Sequence, residues 1–264
     1  MTHREFAIDL AQKAGVIMRE NFLLGMKKEW KEDGSPLTVT DKRINEMFVF
    51  AVQENYPEYG IIAEEGGSTR GSEEYVWVCD PIDGTMPFSH GIPTFVFAIA
   101  LVRDGKVILG VVYDPVLDRL FVGELGQGAT MNGEPITVSP NAHLQNSQVN
   151  CESLTWWTEI GLSHEIITQE FIKKNVYPLR HATSIYSGML VAAGELSASL
   201  TGSKFVWDCA SVKIIIEEAG GKATDINGQD QRYDRPLNGF IVTNGKIHDE
   251  VIGILQKARM HVSR

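Results

Sequence analysis

Asp80 and Asp83 stand three positions apart in Trp77-Val78-Cys79-Asp80-Pro81-Ile82-Asp83-Gly84-Thr85, an apolar run that ends in a tight acidic turn. Pro81 fixes φ and removes a backbone donor, and Gly84 lets the chain approach a ligand with no Cβ in the way. The two carboxylates and the Ile82 carbonyl can then point to one spot. Oxygen-only donors of this kind suit a hard cation such as Mg²⁺, which takes one or two carboxylates together with water and substrate phosphate. If a helix begins at Thr85, the amides of Gly84 and Thr85 face an anion. Asp-Pro-x-Asp-Gly also occurs at ordinary solvated turns, so the chemical reading draws its weight from two further acid sites. Ile61-Ile62-Ala63 runs into Glu64-Glu65-Gly66-Gly67, and Lys204-Phe205-Val206-Trp207-Asp208-Cys209-Ala210 sets an acid ahead of an apolar run.

The elements that must hold these acids can be read in order. Phe6, Leu10, Ala14, Ile17 and Met18 recur at helical spacing, which predicts an amphipathic helix over about 3–23. Leu37-Thr38-Val39-Thr40 reads as a short strand, and Asp41 as the N-cap of a second helix buried along Ile44, Met47, Phe48, Ala51 and Val52. Strands are expected at Tyr75–Cys79, Phe95–Val102, Lys106–Tyr113, Arg119–Val122 and, after the Met131-Asn132-Gly133-Glu134 turn, Pro135–Val138. Residues 66–74 read as an exposed loop or flap. From Ser139 the pattern alternates: strands at Gln148–Cys151, Val176–Leu179, Ala198–Leu200, Lys222–Thr224 and Phe240–Thr243, with helices at His164–Lys173, Ser184–Ala193, Cys209–Glu218 and Asp249–Ala258. Asp208 serves as the N-cap of the third of these helices, and Trp156-Trp157 as packing.

Glu64-Glu65, the Asp80–Thr85 turn with Phe88 and His90-Gly91 behind it, and Trp207-Asp208 leading to Glu218-Ala219-Gly220-Gly221 resemble the inositol monophosphatase family of Mg²⁺-dependent, lithium-sensitive phosphatases. The resemblance implies α+β and α/β architecture in a layered α/β/α/β/α sandwich of the sugar-phosphatase type. An N-terminal half, 1–138, would carry the main metal motif, and a C-terminal half, 139–264, would supply Asp208 and the leaving-group pocket. It further implies two or three Mg²⁺ ions on Glu64, Asp80, the Ile82 carbonyl, Asp83 and Asp208, and a water positioned by Thr85, Asp41 and Glu64. Phosphate and substrate would be held by Asp83, Gly84, Thr85, Ser184, Thr201 and Asp208. Lys31 belongs to the same pattern, Glu65 is read as supporting the ligands, and His90 as structural. A homodimer is expected.

The alcohol pocket departs from the pattern. Inositol phosphatases usually carry Glu seven positions before the second-motif Asp, where this chain has Thr201, and Gly-Ser/Thr-Ala where it has Ala182-Thr183-Ser184. Met86-Pro87 follows the motif Thr where the nucleotide-acting branch has Lys. The resemblance therefore implies a phosphatase of a small phosphorylated alcohol such as inositol 1-phosphate, with histidinol phosphate and sugar (bis)phosphates as alternatives. A non-catalytic phospholigand-binding relative is the remaining class. Arg180, His181, Ser184, Thr201 and Ser203 are candidates for touching the leaving group.

Composition points the same way. In 264 residues, 43% hydrophobic and 9% aromatic content is enough for a large core. A net charge of -10 argues against nucleic acid or an anionic membrane surface as partner, and a phosphate substrate would need bound cations. Three cysteines, Cys79, Cys151 and Cys209, in apolar or motif surroundings predict packing thiols in a reducing compartment. No stretch reads as a targeting or membrane-spanning segment, so the expectation is a cytoplasmic protein.

Overall fold

The computed structural model describes residues 1–32, 34–69, 72–151, 154–179 and 183–259. Helix α1 (His3–Asn21) opens on a capping box, the Thr2 hydroxyl accepting from Glu5 N and the Glu5 carboxylate from Thr2 N. The short strands β1 (Glu29–Trp30) and β2 (Pro36–Leu37) pair antiparallel ahead of α2 (Val39–Asn55). Thr38, not Asp41, is the N-cap of α2. The Thr38 hydroxyl accepts from the Thr40 and Asp41 amides, and Asp41 is the third helical residue, returning a bond to Thr38 N at 2.8 Å. The expected strand over 37–40 is thus cut short, because Thr38 starts the helix there.

Next come β3 (Tyr59–Ala63), β4 (Ser72–Asp83), the single-turn helix α3 (Thr85–Ser89), β5 (Val96–Arg103), β6 (Lys106–Asp114), β7 (Arg119–Glu124), β8 (Gly128–Met131) and β9 (Glu134–Pro135). These strands form one sheet in chain order, parallel between β3 and β4 and antiparallel elsewhere. Strand β4 begins at Ser72, so residues 72–74 are strand and not loop. The turn at 131–134 is where the sequence put it, but the strand expected at 135–138 is not. Pro135 ends β9, and the next amides are satisfied singly, Ile136 N by Ala129 O and Val138 N by Ala219 O.

The rest comprises β10 (Gln148–Cys151), α4 (Leu154–Glu159), α5 (His164–Lys173), β11 (Tyr177–Leu179), α6 (Ser184–Ala192), β12 (Ala198–Thr201), α7 (Ala210–Glu218), β13 (Lys222–Thr224), β14 (Phe240–Thr243) and α8 (His248–Lys257). The second sheet runs β11-β10-β12-β14-β13, parallel around β10 and antiparallel around β14. Asp208 does not cap α7. The N-cap is Cys209, which makes no side-chain cap bond, and Asp208 accepts instead from the Ser203 hydroxyl.

Alternation along the strands builds the layers. Trp77, Cys79, Phe97, Ile99 and Leu101 pack with α1 and α2 on one face of the first sheet. Val78, Ala98, Ala100 and Val102 pack on the other face with Ile185 and Met189 of α6, Val212 and Ile216 of α7, and Ala223 and Val242 of the second sheet. The far face of that second sheet packs Val149, Leu200 and Ile241 against Ile167 and Phe171 of α5 and Val251 and Leu255 of α8. Helices, sheet, helices, sheet, helices: the layered α/β/α/β/α sandwich is the observed architecture. Helix α7 sits hard on β6 and β7, since a Cβ at Gly110 would lie 2.6 Å from Ser211 O and one at Gly123 2.7 Å from Ile215 Cα. All three cysteines are buried, and Trp157 is fully buried in the outer core; the Trp156 side chain lies outside the described residues.

Candidate active site

Residues three apart on a regular strand face opposite sides of the sheet. Asp80 and Asp83 do not, because the β4–β5 register slips between them: Asp80 pairs with Ala98 and Asp83 with Val96, so three steps on β4 match two on β5. This bulge centres on Pro81 and Ile82, where the missing Pro N–H costs no ladder bond. Both acids are buried and both line one cleft. Strand β3 brings the third acid alongside. Ala63 is opposite Cys79, and Glu64 N donates to Cys79 O, which puts Glu64 beside Asp80.

The chain then turns at Gly84, whose φ of 95° is left-handed. A Cβ there would lie 2.8 Å from Thr94 O and 2.9 Å from Thr183 Cγ2, so only glycine fits. The Thr85 hydroxyl lies 3.0 Å from Asp41 Oδ1 and 3.1 Å from Ile82 O, both acceptors. Asp41 is fully buried and also takes the Thr38 hydroxyl and amide. Burial pushes its carboxyl up from the ordinary Asp range, against the pull of these donors.

The second sheet contributes the other wall. Asp208 arrives on the loop between β12 and α7 with its carboxylate held by Ser203, and Thr183 and Ser184 arrive at the head of α6. Asp83 Oδ2 accepts from the Thr183 hydroxyl, from Ile185 N at 3.0 Å and from Tyr186 N at 3.3 Å. The cleft holds about 430 Å³, and Lys31, Ser35, Pro36, Met86, Pro87, Phe205 and Trp207 complete its lining.

Four carboxylates share this cleft, and their protonation shows the strain. Burial, then the charges of Glu64, Asp83 and Asp208, drives Asp80 well above the usual carboxylate range. Burial and neighbouring Glu65 raise Glu64 to about 7, and burial raises Asp83 to about 6. Lys31 offsets part of this, its ammonium 3.0 Å from Glu64 and 2.6 Å from Glu65, and the two carboxylates hold it above the ordinary lysine range against the pull of burial. Among the described residues no three such side chains are already drawn together at the spacing of a bound ion, and Glu64, Asp83 and Asp208 are each tied to a protein donor. Asp80 is the exception: its Oδ1 is buried with no hydrogen-bond partner. An orphaned carboxylate oxygen among three other acids is a fit for a hard cation.

The structure thus brings Glu64, Asp80, Ile82, Asp83, Gly84, Thr85, Ser184 and Asp208 to one cleft, with Asp41 behind Thr85. Thr201 is not on its lining. It is buried in β12 with its hydroxyl accepting from Ser203 N. Ser203 is buried too, spent on Asp208 and Phe205 N. His90 is exposed at the end of α3, with Nδ1 2.8 Å from Met86 O. Arg180 and His181 lie outside the described residues, as do Arg70 and Gly71 of the proposed flap. Gly66 and Thr69 of that loop are bonded to Asn45 and Ile61. Sequence reasoning missed Thr183 as a partner of Asp83, though a Thr ahead of the apolar run Ser184–Ala193 is a helix-start signal that marks the spot.

Comparison with known proteins identifies the class. The model of the inositol monophosphatase family matches residues 2–260. The fructose-1,6-bisphosphatase/inositol-1-monophosphatase of Thermotoga maritima is 34% identical over 262 residues, covering 97% of each chain. The histidinol-phosphatase of Chlorobaculum parvum is 32% identical over 252 residues, covering 95% of each. Among solved structures, the Thermotoga maritima IMPase superposes with a TM-score of 0.86 at 32% identity over 98% of each chain. An inositol monophosphatase from Anabaena gives 0.84 at 26% identity, covering 99% of this chain and 98% of that one. Fold and relatives define a phosphatase, a hydrolase of phosphate monoesters. The chain belongs to the inositol monophosphatase family, whose members are metal-dependent.

Proposed function

We propose that the chain is a Mg²⁺-dependent phosphomonoesterase that hydrolyses a small phosphorylated alcohol, such as inositol 1-phosphate, by attack of water on phosphorus. The observation that carries this reading is the partnerless Asp80 Oδ1 facing Glu64, Asp83 and Asp208 in one cleft. Two or three Mg²⁺ ions would be held by Glu64, Asp80, Asp83, Asp208 and the Ile82 carbonyl. When bound, they supply the positive charge that the acids and a phosphate dianion jointly require, and the Lewis acidity that activates water and steadies the departing alkoxide.

The chain's own residues do the positioning. The Thr85 hydroxyl gives its hydrogen to Asp41, so its oxygen presents lone pairs and can only accept from the attacking water. Glu64, on the cleft lining beside Asp80, is the nearby acceptor for the water's proton. The amides of Gly84 and Thr85 at the head of α3 receive the phosphoryl oxygens. Water's oxygen forms the new P–O bond, the ester P–O bond breaks, and the alkoxide leaves as the alcohol with a proton from solvent.

Histidinol phosphate is the second reading, and the burial of Thr201 favours it. With no carboxylate at that position and its hydroxyl turned inward, the cleft lacks the side chain that would grip a polyol hydroxyl. A homodimer and a cytoplasmic location remain part of the proposal, as does the division into halves at 138/139. Hydrolysis in ¹⁸O-labelled water with Mg²⁺ tests the reaction: one labelled oxygen per phosphate released is the expected result. Label in the alcohol, or tight binding of phosphate esters without turnover at saturating Mg²⁺, would overturn it.

A further inference from the structure

Beside the acids, part of the cleft wall is apolar. Pro36, Met86 and Pro87 come from the first sheet's side, and Phe205 and Trp207 from the loop that delivers Asp208. The two rings are stacked, with centroids 4.8 Å apart and planes inclined by 13°. Their loop is braced at several points: Phe205 N donates to the Ser203 oxygen at 3.0 Å, the Ser203 hydroxyl donates to Asp208, and Leu237 N donates to Lys204 O at 2.8 Å. The aromatic pair is therefore fixed relative to Asp208 before any ligand arrives.

Three polar side chains of the same cleft are committed elsewhere. Thr183 serves Asp83, Thr85 serves Asp41, and Lys31 serves Glu64 and Glu65. A polyol leaving group would trade hydration for ring faces and proline, whereas a flat ring would gain from them.

Resting on the phosphomonoesterase reading above, we propose that the Phe205–Trp207 stack is the leaving-group platform. It selects phosphate esters whose alcohol carries a planar, apolar-faced ring over esters of open polyols. Phe205 is the specificity-determining residue, since it lines the cleft and stacks on Trp207, which lines it too.

The test uses benzyl phosphate and glycerol 2-phosphate, two alkyl esters of similar intrinsic reactivity, with Mg²⁺ in excess. The native protein should favour benzyl phosphate in kcat/KM by about five- to tenfold, the size of an aromatic stacking contribution. Phe205→Ala should cut that ratio to near unity, chiefly through a higher KM for the benzyl ester. Phe205→Leu, which keeps bulk and removes the aromatic face, should do the same, and a native-like thermal unfolding transition reports that each variant is folded. A native ratio below about two, or a ratio unchanged in both variants, overturns the platform while leaving the phosphatase reading intact. Hydrolysis of neither ester by the native protein would remove both.

Discussion

The Thr183 hydroxyl donates to Asp83, joining the N-cap residue of α6 to the acidic bulge of β4. Thr183 makes no side-chain cap bond within its own helix. Asp83 supplies the cap from the other sheet, taking the Ile185 and Tyr186 amides on the same oxygen. One carboxylate oxygen thus anchors α6, and Asp83 also lines the cleft. Thr183→Val should weaken Mg²⁺ binding by about three- to tenfold, and lower stability by about 1.5–3 kcal/mol, the worth of a hydrogen bond to a charged group. Calorimetric Mg²⁺ titration and denaturant unfolding check this, and Thr183→Ser should restore both.

Asp41 acts through Thr85 and is not on the cleft lining. Asp41→Asn or Thr85→Val should therefore lower kcat by about 10²-fold or more while KM changes little, as expected when a water-orienting hydrogen bond is lost. Steady-state kinetics on any turned-over ester decides it. A loss confined to KM would mean that the pair holds substrate and not water.

In the metal-free protein the acids work against folding. Glu64 at about 7 and Asp83 at about 6 bind protons in the folded state that they have given up when unfolded, so stability falls as pH rises from about 4 to about 7. Chelated protein should lose on the order of 5 °C in Tm between pH 5 and pH 7.5. Saturating Mg²⁺ should restore most of that at the upper pH and release protons on binding. A Tm that rises over this range in the metal-free protein would contradict the assignment.

Helix α7 owes its seat to two glycines. Gly123→Ala would push a methyl group into the Ile215 backbone, 2.7 Å from its Cα, and should cost about 1–3 kcal/mol. Urea unfolding measures the loss, and Gly126→Ala, which meets no atom within 4 Å but has a φ of 74°, separates backbone strain from overlap.

Much of this was legible in the residues. Regular periodicity located β10, α5, β13 and β14 to the residue, and the acids of three separate strand ends and loops do meet in one cleft. Two of the misses share a cause. At both Asp41 and Asp208 an acid ahead of an apolar run looks like a helix cap, yet a neighbouring hydroxyl decides otherwise. Thr38 takes the cap position in one case, and Ser203 turns the acid toward the cleft side of its loop in the other. Strand β8 has no clear sequence signal because it is short and opens on Gly128, a positive-φ glycine two residues after another at 126. Thr201 sits at the sequence position of a substrate-binding acid, but its place in β12 buries it, and no local pattern tells a strand's inward face from a pocket wall.

The most direct measurement is phosphate release from inositol 1-phosphate and histidinol phosphate as Mg²⁺ is titrated, for the native protein and for Asp80→Asn. The account predicts saturable Mg²⁺ dependence in the native protein, abolished by chelation. Asp80→Asn should lose at least about 10³-fold in kcat/KM, since removing a cation ligand forfeits the charge stabilisation the cation supplies. Equal turnover in chelator, or an Asp80→Asn protein as active as the native one, would contradict it.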